Sequence, residues 1–256
     1  MAPAKKTTAT NKRSTSAPTT TARSKKSAKT AKKRSTKRRT SAKSDTPKPT
    51  LVLLVRHGRT PTTGKVLPGR AKGLHLGEEG IAQANKAAER IAGLGDGKIA
   101  AVYASPMERT QETAAPIAKA VGKRVRTKQG LIEADFGQWT GRKLTELNKL
   151  PEWSQVQRYP SGFRFPDGES FAEMQQRMVT TLNKLVDAHP GQTIVAVSHA
   201  DTIKAAVAHA MGTHLDLFQR IVIGQCSITA IAYGFGGPMV LSVNSMGDDL
   251  KTLVPS

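Results

Sequence analysis

After Met1 no large apolar residue occurs before position 51, and then five arrive together at positions 51–55, Leu-Val-Leu-Leu-Val. A continuous apolar run of that length predicts a strand buried on both faces. The period then changes. Ile81, Ala84, Ala88 and Ile91 recur at helical spacing over residues 78–93, with Glu78 and Glu79 in the first turn, where acids suit the helix dipole. Residues 99–104 read as a second short strand. Ser105, Pro106 and Glu108 then read as the N-cap, first residue and capping-box acid of a helix running to about Val121. Phe171, Met174, Met178, Leu182 and Leu185 mark one face of a longer helix. Residues 193–197 form another apolar run, followed by a helical pattern over about 200–211. Two last strands are expected near 227–233 and 239–243, joined by a short glycine-rich link. Strands alternating with helices predict an α/β fold, a three-layer α/β/α sandwich on a mainly parallel sheet. The terminal hairpin makes one edge antiparallel. No internal repeat is visible.

Composition divides the chain at the same place. Residues 1–50 hold 16 Lys and Arg against one acid, Asp45, so 15 of the 21 net positive charges sit there. The segment is almost wholly Ala, Lys, Arg, Ser, Thr and Pro. With nothing to bury, the entropy of ordering it goes uncompensated, and a disordered basic tail is expected over 1–50, ahead of one catalytic domain over 51–256. Such a tail fits nonspecific nucleic-acid binding by counterion release. It carries no aromatic residue for stacking on single-stranded bases. No apolar run is long enough to span a membrane, and the basic N-terminus lacks the apolar stretch of a secretory signal, so a cytoplasmic protein is expected. The single cysteine, Cys226, excludes an intramolecular disulfide and lies in an apolar stretch that reads as core.

In an open α/β sheet, ligands bind at the carboxyl ends of the strands. The first strand is followed by Arg56, His57 and Gly58, the second by Ser105 and, one turn later, Arg109, and the 193–197 strand by Ser198 and His199. Three strand ends thus deliver two arginines and two histidines to one edge. Guanidiniums fork onto phosphoryl oxygens. Helix N-termini add backbone donors, here the amides near Gly58 and Ala200. A neutral imidazole can attack phosphorus, and a second, protonated imidazole can bind the transferring oxygens. The cations are built in, so neither a metal nor another cofactor is required. His75, His189, His209 and His214 read as structural and show no metal-binding spacing. On these grounds alone either His57 or His199 is eligible as the nucleophile.

LVLLVRHGRT (residues 51–60) resembles the signature of the histidine phosphatase superfamily, which includes cofactor-dependent phosphoglycerate mutase. SPMERTQETA (105–114) resembles its second arginine motif, and VAVSHAD (195–201) its second histidine motif. The resemblance covers about residues 51–256, with the blocks in the family's order. It implies that His57 is the nucleophile and that Arg56, Arg109 and His199 line the phosphate pocket. LIEADFGQWTG (131–141) resembles the general-acid region, which implies Glu133 as the acid, with Asp135 a neighbouring substitute. Family members often carry an Asn near position 63, where Thr63 stands here. Thr63, Arg59 and Arg70 are candidate substrate contacts.

The connection from Glu133 to the PDGES turn (166–170) is about 30 residues. Family mutases carry a longer insertion there, so the short form points to a phosphatase with a more open pocket. A phosphomonoesterase acting on a small phosphorylated metabolite is expected; sugar phosphates, phosphoglycerate and the phosphorylated cobalamin precursor all suit it. A phosphomutase is the alternative, since residues 214–222 resemble a bacterial subgroup labelled as phosphomutases. A nucleic-acid-associated protein with an inactive domain is the second alternative. Oligomeric state is not readable, and homodimers are common in families of this kind.

Overall fold

The computed structural model describes residues 47–247. The basic segment expected to be disordered lies, up to residue 46, outside them. Six strands form one sheet in the order β3-β2-β4-β1-β5-β6. They are β1 (Thr50–Arg56), β2 (Ile99–Ala104), β3 (Val125–Thr127), β4 (Thr193–Ser198), β5 (Ile228–Gly234) and β6 (Gly237–Ser245). The helices are α1 (Glu78–Ala92), α2 (Glu108–Ala120), α3 (Leu144–Leu147), α4 (Trp153–Arg158), α5 (Phe171–Asp187) and α6 (Ala200–Ala210). β3, β2, β4 and β1 run parallel, and β5 and β6 complete the sheet antiparallel. The parallel sheet with one antiparallel edge is the expected α/β architecture. Three-residue β3 and the short helices α3 and α4 carry too little periodicity to be read from sequence.

Residue alternation on the central strands sorts the two cores. Leu53, Val55, Val195 and Val197 face Ala88 and Ile91 of α1 and Ala114 and Ile117 of α2. Val52, Leu54, Ile194 and Ala196 face Met178, Leu182 and Leu185 of α5 and Ile203 and Val207 of α6. Burial on both faces explains the unbroken apolar runs, each such side chain contributing about 1.5–3 kcal/mol. A third cluster, built mainly of aromatics, holds the 134–171 connection together. Phe136, Trp139, Phe163, Phe165 and Phe171 pack on one another, and Phe218 joins at Phe171.

One helix start differs from expectation. α2 begins at Glu108 with Met107 as N-cap, and no side chain caps it. Ser105 stays at the strand end, where its hydroxyl meets His199 instead. The pairing of β1 with β4 aligns two strand ends. Val55 lies beside Val197 and Arg56 beside Ser198, so the chain leaves both strands at one level, as His57 and His199.

Candidate active site

His57 follows β1 directly, and its backbone amide donates to the Ser198 carbonyl (3.0 Å), prolonging the β1–β4 pairing by one step. Its ring Nδ1 lies 2.8 Å from the Gly58 carbonyl. A carbonyl only accepts, so Nδ1 carries the hydrogen and Nε2 keeps its lone pair. Burial, then Arg109 and Arg56, push the imidazole pKa down to about 3. His57 is therefore a neutral base with Nε2 free to attack.

His199 stands edge-on to His57, ring centroids 5.3 Å apart, and is fully buried. Arg109 Nη2, which only donates, lies 3.3 Å from its Nδ1, while its Nε2 lies 2.8 Å from Ser105 Oγ. The resting ring is thus neutral, with hydrogen on Nε2. Burial and then Arg109, His57 and Arg56 hold its pKa well below the usual value. A phosphoryl group brings negative charge beside Nδ1 and favours the protonated form that grips its oxygens.

Arg109 is completely buried. Its Nη2 also donates to the Gly69 carbonyl (2.8 Å), yet Nε and Nη1 have no partner among the described residues. Arg56 donates through Nη1 to the Ile223 carbonyl (2.6 Å), and its Nε is likewise unpartnered. Burial lowers the pKa of both guanidiniums, which nonetheless stay charged. Neither forms a salt bridge among the described residues. A buried cation with unmet donors is costly unless an anion completes it.

Glu133 lies on an irregular segment between single-turn 3-10 helices Gln129–Leu131 and Gly137–Trp139. Its Oε1 accepts from the Ala134 amide (3.0 Å), and Oε2 lies 3.9 Å from His199 Nδ1. Burial, reinforced by the charge of Asp201, raises its pKa to about 7 against the pull of the Ala134 amide, Arg109 and Arg56. A carboxyl group protonated near neutral pH is equipped to be a general acid. The neighbouring Asp135 carboxylate instead accepts from Arg70 Nη1 (3.1 Å) and the Gly137 amide (3.1 Å).

Other expected contacts have different tasks. The Gly58 amide donates to Thr113 Oγ1 (3.0 Å) rather than toward a phosphate. The glycine is there for closeness: a Cβ at position 58 would stand 2.5 Å from the Gly80 carbonyl oxygen. Ala200 opens α6 immediately after His199, so the positive end of that helix lies at the strand end. The Thr63 hydroxyl accepts from the Thr60 amide (2.9 Å) and closes a turn. Arg59 forms an exposed pair with Glu79 (3.3 Å) at the start of α1. Arg70 directs its donors to Glu133 O, Asp135 and Glu169, and so frames the segment that carries Glu133. The pocket is also less open than the short connection suggested. That connection packs into its own aromatic cluster, the carbonyl of Gly69 seals Arg109, and His57 is only 6% exposed. Ser105, Thr113, Glu169 and Arg177 were not picked out from sequence as site residues. Ser105 and Thr113 lie inside the SPMERTQETA block and Glu169 inside the PDGES turn, whereas Arg177 had no local signal.

Residues 52–246 match the model of the histidine phosphatase superfamily, branch 1. The chain belongs to that superfamily. Among curated histidine phosphatase relatives, "Probable phosphoglycerate mutase GpmB" of Cronobacter sakazakii is 34% identical over 185 residues, 71% of this chain and 84% of that protein. "Bifunctional protein Rv2228c" of Mycobacterium tuberculosis is 31% identical over 207 residues, 78% of this chain and 55% of that protein. The chain thus spans little more than half the length of the latter. Among solved structures, phosphoserine phosphatase from Entamoeba histolytica, in complex with phosphoserine, has 30% identity and a TM-score of 0.69 over 77% of this chain and 98% of that one. Mycobacterial glucosyl-3-phosphoglycerate phosphatase Rv2419c shares the fold at 22% identity and a TM-score of 0.69, over 76% of this chain and 98% of that one.

Proposed function

We propose that this histidine phosphatase hydrolyses small phosphomonoesters through a phosphohistidine at His57 Nε2. The observation that carries the reading is the set of unpartnered buried donors, Nε and Nη1 of Arg109 and Nε of Arg56, beside an imidazole whose Nε2 is bare. In the first step the Nε2 lone pair forms the N–P bond as the P–O bond to the alcohol breaks. The alcohol oxygen takes the proton of Glu133, and the Gly58 carbonyl steadies the positive ring through Nδ1–H. In the second step Glu133, now ionised, takes a proton from water as the water oxygen attacks phosphorus. The N–P bond returns its electron pair to Nε2, and phosphate leaves. Arg56, Arg109 and protonated His199 neutralise the phosphoryl oxygens throughout.

The likeness to phosphoserine phosphatase, known in complexes with phosphoserine and with 3-phosphoglyceric acid, supports a small phosphorylated metabolite, such as a phosphorylated amino acid or phosphoglycerate, as substrate. The relative named as a phosphoglycerate mutase supports a second reading, transfer of the phosphoryl group to another acceptor in place of water. Release of phosphate from a panel of phosphomonoesters, with EDTA present, tests the first. Wild type turns over, and His57→Ala loses at least a thousandfold, as expected for removal of a covalent nucleophile. Turnover by His57→Ala at the wild-type rate would overturn the reading, and phosphoryl transfer without phosphate release would select the mutase. For the basic N-terminal segment we propose nonspecific association with double-stranded nucleic acid, supported by its 16 cations against one acid.

A further inference from the structure

A general acid flanked by two arginines is at risk of being ionised by them. Besides Arg56 and Arg109, two more guanidiniums reach the segment that carries Glu133, and neither touches its carboxyl. Arg70 donates through Nε to the backbone carbonyl of Glu133 (2.9 Å). Arg177, in the middle of α5, donates through Nη1 to the carbonyls of Gly130 and Ile132 (2.8 Å each) and through Nη2 to that of Glu133 (3.4 Å). Both converge on one carboxylate. Glu169 accepts a fork from Arg177, Nε to Oε1 and Nη2 to Oε2, both 2.9 Å, and Oε2 also accepts from Arg70 Nη2 (3.0 Å). The Glu169 amide donates to the Asp135 carbonyl (2.9 Å), and the Asp135 amide donates weakly to Glu169 Oε2 (3.3 Å). The Glu169 side chain is 14% exposed, so these contacts are poorly screened.

We propose that Glu169 is a positioning residue for the general acid, acting through Arg70 and Arg177. It has two effects. It holds the carbonyls of Gly130, Ile132 and Glu133 from behind, so that a segment with only single-turn helices presents the Glu133 carboxyl toward His199 in one orientation. With Asp135 it also balances the charge of Arg70 and Arg177, two acids against two bases, so the arginines that grip the backbone do not draw the proton off Glu133. The close approach of the two loops is part of the device. Gly168 permits it, since a Cβ there would lie 2.4 Å from the Asp135 carbonyl oxygen.

This inference rests on the phosphomonoesterase reading and makes a claim that a merely structural role does not. A poor leaving group needs the acid, and a good one does not. The experiment compares kcat/KM for an alkyl phosphate and for p-nitrophenyl phosphate in wild type, Glu133→Gln, Glu169→Gln and the double variant. Glu169→Gln is expected to lose about tenfold on the alkyl ester and much less on the aryl ester. The high-pH limb of its alkyl profile should move to lower pH, because unbalanced arginines favour ionised Glu133. In the Glu133→Gln background the same substitution should add almost nothing. Equal losses on both esters, or full additivity with Glu133→Gln, would overturn the assignment while leaving the phosphatase reading intact. Absence of turnover by wild type on either ester would remove that reading and this proposal with it. If Glu169→Gln does not fold, Arg70→Lys keeps the charge, weakens the grip on the Glu133 carbonyl, and must show the same selectivity for the alkyl ester.

Discussion

At the scale of single residues, the site consists of groups whose protonation is set by burial. His199 is neutral when folded because burial and the neighbouring cations depress its pKa. In the unfolded chain it titrates near 6.5. The folded value lies below the unfolded one, so the unfolded chain takes up the extra proton as pH falls. Stability linked to His199 is therefore complete above about pH 6.5 and is lost progressively below it. Glu133 works in the opposite sense. Its raised pKa of about 7 means that its contribution is present at low pH and lost as pH rises through 7. The difference between wild type and His199→Gln isolates the imidazole. Denaturant unfolding at pH 7.5 and pH 5 should show the variant gaining on wild type at the acid end. An unchanged difference would mean that folding does not shift the His199 pKa, and a wild type that gains on the variant at the acid end would mean that His199 is protonated in the folded protein.

At the scale of elements, the helices place chemistry through their ends. α5 opens with Ser170, whose Oγ accepts from the Glu173 amide (3.2 Å), while Glu173 Oε2 accepts from the Ser170 amide (3.0 Å). This capping box begins one residue after Glu169, so the same turn that starts the helix aims the carboxylate at Arg70 and Arg177. Ser170→Ala should lower stability by about 1 kcal/mol, read as a shift in denaturation midpoint at constant slope. α2 shows how a local signal can mislead. Ser105-Pro106-Met107-Glu108 has every mark of a helix start, but the Ser105 hydroxyl meets a histidine 94 positions away in sequence. A cap contributes about 1 kcal/mol, which a hydrogen bond to a buried imidazole readily outweighs.

At the scale of the whole molecule, charge and catalysis occupy different parts of the chain. Residues 1–50 carry 15 of the 21 net positive charges, whereas every proposed catalytic group lies between Arg56 and His199. Removing residues 1–46 should therefore leave kcat/KM within about twofold, while abolishing retention on duplex DNA at low salt and the steep salt dependence of that retention. Equal retention by the truncated protein would refute nucleic-acid association through this segment. Among the described residues, no helix is long and apolar enough to cross a membrane.

The sequence by itself determined the order of the longer strands and helices, all but β3, α3 and α4, the division into a basic segment and an α/β domain, and the grouping of Arg56, His57, Arg109 and His199 at the strand ends. These follow from periodicity and from the rule that parallel sheets present one edge to ligands, both of which are local or topological. Only the tertiary structure decided which atoms act. The β1–β4 register sets the two histidines at one level, and the Gly58 carbonyl selects Nε2 of His57. The 60–77 loop encloses Arg109 and holds Arg70 against the segment that carries Glu133. Protonation states, tautomers and the clamp of Glu169 with Arg70 and Arg177 depend on burial and on contacts between residues far apart in the chain. Hydrophobic spacing encodes which face of an element is buried, but not which distant polar group will meet it there.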